Sequence, residues 1–184
     1  MKHANKTIQY SIYDLGGDDN INVKGASGTS ARFVLDTTSI KRPSLESLTE
    51  TMTGAGIAGE IDVPTLGQFG AMSYEISYKR TNKDAVKLFG QKVQHIETRW
   101  ATDVLDSATG KINICANKEI VKGIPKKLDL GGVENNTANE TTAELEIIYY
   151  KFIQNGETLI EIDKLNNVVK LNGVDYTAEL RAAL

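Results

Sequence analysis

Apolar and polar residues alternate along most of this chain, the period-two sign of strands that bury one face. The alternation runs through TIQYSIY (7–13), SARFVLDT (30–37), AMSYEISYK (71–79), KVQHIETRW (92–100), KINICA (111–116), AELEIIYYKFI (143–153), TLIEID (158–163) and NVVKL (167–171). So many short strands at such spacing predict a mainly β protein, a sandwich or barrel. Asn155-Gly156 and Asn172-Gly173 mark two tight hairpins, because Asn-Gly tolerates the positive φ angles those turns require. Helical spacing stands out once, at 82–89. There Thr81 or Asn82 can cap the helix, Ala85, Leu88 and Phe89 share a face, and Gly90 ends it. This helix is expected across one open end of the sandwich. The stretch 123–142, rich in Gly, Asn and Thr without a period, is expected to be a long loop.

The sequence TGAGIAGE carries Gly54, Gly56 and Gly59 in the spacing of a dinucleotide-binding turn, with Glu75 about twenty positions on. That site needs a buried strand before the glycines and a helix after them. Here both flanks alternate, and Pro64, Gly67 and Gly70 oppose a helix. The segment reads instead as a long hairpin with a glycine-rich tip. Ser47, Thr49, Thr51 and Thr53 share one face of its outgoing arm, while Leu48, Glu50 and Met52 share the other. On the return arm Glu60 and Asp62 alternate with Ile61 and Val63. Whether hydroxyls and acids lie on one side depends on the register of the two arms.

The 184 residues are expected to form a single domain over 1–184, with 40% apolar and 24% charged residues, as in a folded protein. No apolar run resembles a signal peptide or a membrane span, so synthesis and folding in the cytoplasm and no membrane contact are expected. Cys115 is the only cysteine, which excludes an intrachain disulfide, and it reads as a small buried hydrophobe. His3 and His95 are the only histidines, and His95 sits mid-strand, where a structural role is expected. Glu161 and Asp163 share a strand face but lack the supporting groups of a hydrolytic pair. The expectation is no catalytic residue, no metal and no cofactor.

A net charge of −3 gives no general reason to hold nucleic acid, but the charges are segregated. From Pro43 to Tyr78 there is no Lys or Arg, while Glu46, Glu50, Glu60, Asp62 and Glu75 are negative. A second cation-free run, from Leu128 to Tyr150, holds Asp129, Glu134, Glu140, Glu144 and Glu146. Basic residues gather at 41–42, 79–80 and 118–127. Such segregation suits joining copies of one chain or repelling a polyanion.

The C-terminal stretch NGETLIEIDKLNNVVKLNGVD (155–175) places Gly156, Leu159, Glu161, Ile162, Asp163, Asn166, Lys170, Asn172, Gly173, Val174 and Asp175 in a recognisable order. It resembles the end of the major tail tube proteins of contractile-tailed bacteriophages, the FII-like tail tube family, also found in contractile bacteriocin particles. Upstream, SLESLTETMTGAGIAGEIDVPTLGQFGAMSYEI is similar to that family's long hairpin and the strand after it. The resemblance covers most of 30–175 and leaves out the first twenty residues and 100–142. It implies a mainly β subunit, a sandwich or barrel with one short α-helix and a long hairpin, closing into a hexameric ring. Rings of this kind stack head to tail into the inner tube of a contractile tail, in a phage virion or a headless tailocin. DNA would pass through the channel without specific binding. The implied partners are further copies of the chain and the sheath, tape-measure, baseplate and tail terminator proteins. Glu161, Asp163, Asn166, Asn172, Gly173 and Asp175 would be structural motif residues. Within this picture the cation-free hairpin and the C-terminal strands are the expected channel wall, with Ser47, Thr49, Thr51, Thr53, Glu60 and Asp62 as lining candidates. Gly54, Gly56 and Gly59 at its tip are candidates for contact between subunits. A type VI secretion-like tube protein, a monomeric β-sandwich binding module and a nucleotide-dependent enzyme are the alternatives.

Overall fold

The computed structural model describes residues 4–13, 37–54, 56 and 58–183. In chain order these form β1 (Ala4–Tyr13), β2 (Thr37–Lys41), β3 (Ser47–Met52), β4 (Ile61–Phe69), β5 (Ser73–Tyr78), α1 (Lys83–Leu88), β6 (Gln94–Leu105), β7 (Ile112–Asp129), β8 (Thr141–Gln154), β9 (Glu157–Asp163), β10 (Val168–Leu171), β11 (Val174–Asp175) and α2 (Ala178–Ala183). Among the described residues nine strands join one sheet, and β3 pairs with β4 in a separate two-stranded one. Every ladder is antiparallel.

The long strands β7 and β8 form the spine. One edge of β8 pairs with β7, while its other edge is divided between β5, on Thr141–Glu146, and β9, on Tyr149–Gln154. At the divide, Ile147 N–H donates to the Met72 carbonyl at 2.8 Å and Lys164 N–H donates to the Ile148 carbonyl at 3.0 Å. Lys122 faces Tyr149 but Gly123 faces Ile147, so Ile148 is an extra residue, a β-bulge. The bulge reverses which side chains point inward: Ala143, Leu145 and Ile147 are buried before it, Tyr150 and Phe152 after it. Gly123 is needed there, since a Cβ would stand 3.0 Å from the Glu146 carbonyl oxygen and 3.1 Å from Leu145 Cβ.

Bent at this point, the ribbon carries β2 and β5 over β6, and the Tyr74 hydroxyl meets Thr98 Oγ1 at 2.8 Å across the two layers. Between the layers lie Tyr74, Ile76, Ile96, Leu145, Ile147 and Ile162, all buried. Each such side chain contributes roughly 1.5–3 kcal/mol by leaving water. This is the predicted mainly β arrangement.

The first helix forms where its cap signals it. Asn82 Oδ1 accepts from Ala85 N–H at 2.7 Å, and Gly90 N–H closes the far end on the Lys87 carbonyl at 3.1 Å. Ala85 and Leu88 turn into the core against β7 and β8, but Phe89 is exposed, because it is already the C-cap residue and leaves the helical spacing.

Three expectations need correction. The supposed loop 123–142 is strand as far as Asp129, because two register shifts, at Lys122/Gly123 and Pro125/Lys127, absorb the glycine and the proline inside the ladder. Strand structure likewise extends beyond Trp100 to Leu105, leaving a tight turn in which Asp106 accepts from Ala108 N–H at 2.9 Å and Thr109 Oγ1 at 2.6 Å. Among the described residues there are two short helices rather than one: α2 is too brief to show a hydrophobic period, yet Ala178, Leu180, Arg181 and Ala182 favour helix. The predicted strand at 30–37 lies outside the described residues except for Thr37, which opens β2.

Candidate functional site

The register of the hairpin decides which side chains share a face. Thr51 stands opposite Asp62 and Thr49 opposite Pro64, and Thr51 Oγ1 donates to Asp62 Oδ1 at 2.7 Å. Hydroxyls and acid therefore lie together. Glu50 opposes Val63 and Met52 opposes Ile61, which makes the other face mostly apolar. A register shift separates Ser47, opposite Phe69, from this regular part. Thr53 and Glu60 lie just beyond the paired arms, and every residue of β3 is exposed.

At the tip Gly56 and Gly59 have φ of 95° and 121°, values only glycine adopts easily, while a Cβ at Gly54 would meet nothing. The hairpin base is held. Gly70 N–H donates to the Glu46 carbonyl at 2.9 Å, and Lys164 Nζ donates to the Gly70 carbonyl at 2.9 Å.

A buried charge cluster, which sequence reasoning missed, lies beneath β2. Glu119 is 0% exposed, and its Oε1 accepts from Arg42 Nε at 2.5 Å and from the Tyr150 hydroxyl. Its Oε2 accepts from the Tyr74 hydroxyl at 3.3 Å. The Arg42 guanidinium lies 4.5 Å from the Phe152 ring centre and 5.2 Å from that of Trp100, whose ring stacks on Phe152. Burial opposes the charge on Arg42, but the neighbouring Glu119 carboxylate more than offsets it and holds the guanidinium's pKa above its ordinary value. Burial, then Glu119, pushes the Tyr74 and Tyr150 hydroxyls upward, so both stay protonated and donate. Beside the cluster opens a cleft of about 370 Å³, bounded also by Thr102, Asn117 and Gln154. The groups around Glu119 pair with one another, so the cluster ties the two layers together.

The C-terminal motif residues act as turn and strand ties. Asp163 Oδ1 accepts from the N–H groups of Leu165 and Asn166, each at 3.0 Å, and its Oδ2 accepts from Asn166 Nδ2 at 2.7 Å. Glu161, across from Lys151 and Lys170, accepts from the Tyr149 hydroxyl at 2.9 Å. Asn172 and Gly173 take the positive φ angles of their turn, 49° and 80°. Asp175 pairs with Arg181 at 2.5 Å, and that pairing, the largest influence, holds its carboxyl below the usual range.

His95 is partly buried mid-strand, its pKa lowered first by burial and then by Lys122. Cys115 is only partly buried, contrary to expectation, because it lies where β7 runs out beyond the core toward its turn. Among the described residues no group of three or more His, Cys, Asp or Glu is placed to hold a metal ion, and no helix is long and apolar enough to cross a membrane.

Among the described residues β1, β2 and β11 stand at sheet edges, and β3 is exposed along its whole length. The profile of the phage tail tube protein FII family matches residues 26–184, and the chain belongs to that family. It is 27% identical over 157 residues to the tail tube protein of Escherichia phage P2, an alignment that covers 78% of this chain and 83% of that protein. The profile match includes 100–142, outside the span of the motif resemblance, so the β6–β7 hairpin lies within the family region. The chain's role is that of a structural subunit of a phage tail tube.

Proposed function

We propose that the whole chain is one tube domain, six copies of which close into a ring, and that the rings stack head to tail into the inner tube of a contractile tail. The observation that carries this reading is the family match over residues 26–184. Open strand edges in the single chain support it, since ring closure lets neighbours complete each other's sheets. Sheath, tape-measure, baseplate and terminator proteins are the further partners of such a tube, in a phage virion or a headless particle.

The channel passes DNA without gripping it. The hairpin face bearing Thr49, Thr51 and Asp62, with Ser47, Thr53 and Glu60 along its length, is the proposed lining. Its support is compositional: there is no Lys or Arg from Pro43 to Tyr78, and each cation facing the channel would add salt-sensitive affinity for phosphate. Thr51→Cys, introduced together with Cys115→Ser, tests the assignment. In assembled tubes the introduced thiol is expected to react with a small maleimide and to be shielded from one coupled to a large polymer. Equal reaction with both would place this face on the outside of the tube.

A further inference from the structure

The chain carries two surfaces that are not alike and that complement each other. One is the second face of the hairpin, where Leu48 and Met52 on β3 and Ile61 and Val63 on β4 stay exposed, Met52 by 50% and Ile61 by 52%. A lone two-stranded sheet is marginally stable in water, so this face needs a cover. Glu50 sits within it, opposite Val63, and no Lys or Arg lies between Pro43 and Tyr78.

The other surface is the outward side of α1. With Ala85 and Leu88 turned into the core, Lys83, Val86 and Lys87 point away at i, i+3 and i+4. Val86 is 53% exposed, Phe89 and Val93 are partly so, and Lys79, Lys83 and Lys87 are exposed around them. A shallow groove runs along this side past Thr81, Asn82, Lys83 and Val86. An apolar strip with an acid at its centre thus has its counterpart in an apolar strip with lysines.

We propose that the Leu48–Met52–Ile61–Val63 face of the hairpin docks on the Lys83–Val86–Lys87 face of α1 in a second copy of the chain. Two different surfaces on each copy make the contact heterologous, the kind that closes rings or extends filaments rather than ending at a dimer. The opposite signs fix its direction and disfavour hairpin-on-hairpin pairing. The idea rests on the tube reading and names the surfaces that would join its subunits.

Charge reversal tests it with four versions of the full chain: unaltered, Glu50→Lys, Lys83→Glu with Lys87→Glu, and all three changes together. Assembly is followed by sedimentation and negative-stain microscopy, and folding by thermal melting of the unassembled chain. Reversal on either side alone is expected to raise the concentration needed for assembly by about a hundredfold, with melting unchanged. The combined variant, its signs reversed on both sides, is expected to assemble again. If both one-sided variants assemble like the unaltered chain, or the combined variant stays as defective as either, the docking is wrong while the tube reading stands. If the unaltered chain itself never assembles, both fail together.

Discussion

Replacing Arg42 by Ala is expected to destabilise the unassembled chain by roughly 2–3 kcal/mol, less than the cost of breaking a fully buried pair, because Glu119 is enclosed but the Arg42 side chain is 46% exposed. Glu119 is fully enclosed, and among the described residues Arg42 is the cation paired with it, at 2.5 Å. The variant also strips the guanidinium from the Trp100 and Phe152 rings, so packing is lost together with charge. Arg42→Lys should recover only part of the loss, since an ammonium can neither stack flat on these rings nor donate to Glu119 and Tyr150 from one planar fork. Arg42→Met combined with Glu119→Gln should be milder than Arg42→Ala, because no charge is left stranded. Urea unfolding of the four chains checks the order. An Arg42→Ala midpoint equal to that of the unaltered protein would mean that the cluster does not hold the layers together.

Gly67→Ala is expected to cost about 2 kcal/mol, within the range for forcing a side chain into a left-handed backbone conformation. Gly67 lies in β4 with φ of 74°, and a Cβ there would stand 2.5 Å from Thr177 Cγ2. Thr177 cannot easily turn aside. It is buried, its Oγ1 accepts from Val169 N–H at 3.0 Å, and Arg181 Nη1 donates to the same oxygen at 2.8 Å. The substitution therefore strains the hairpin and loosens the C-terminal clasp at the same point. Thr177→Ser removes the clashing methyl and keeps the hydroxyl, so in the Gly67→Ala background it should restore part of the loss. A double-mutant cycle measured by unfolding reads this coupling directly. Purely additive effects would show that the two residues do not meet.

The strands, the hairpin with its glycine tip and both Asn-Gly turns are legible in the sequence because each depends on neighbours within a few residues. Alternation marks a strand wherever one face is buried, and Asn155-Gly156 carries its own conformational requirement. The passage from 123 to 129 is not legible as strand, since Gly123 and Pro125 have the chemistry of breakers and only the pairing with β8 shows that bulges accommodate them. The face sharing of Thr51 and Asp62 also waits on register, which distant contacts set.

The buried cluster illustrates the same limit. Glu119 lies on the face of β7 shared by Asn117 and Val121, and an acid in such a row signals a hidden partner. That partner, Arg42, is 77 positions away in sequence, and no local pattern joins them. The surface candidates are half legible: the cation-free hairpin is plain in the sequence, while the exposed side of α1 becomes clear only once Ala85 and Leu88 are seen to face inward.

Electron microscopy of the purified full chain at high concentration bears most directly on whether it builds a tube. Rings with six-fold symmetry seen end-on, stacked into tubes seen from the side, are the expected result. Single 20.1 kDa chains at every concentration, with no ring or tube in the field, would contradict the account.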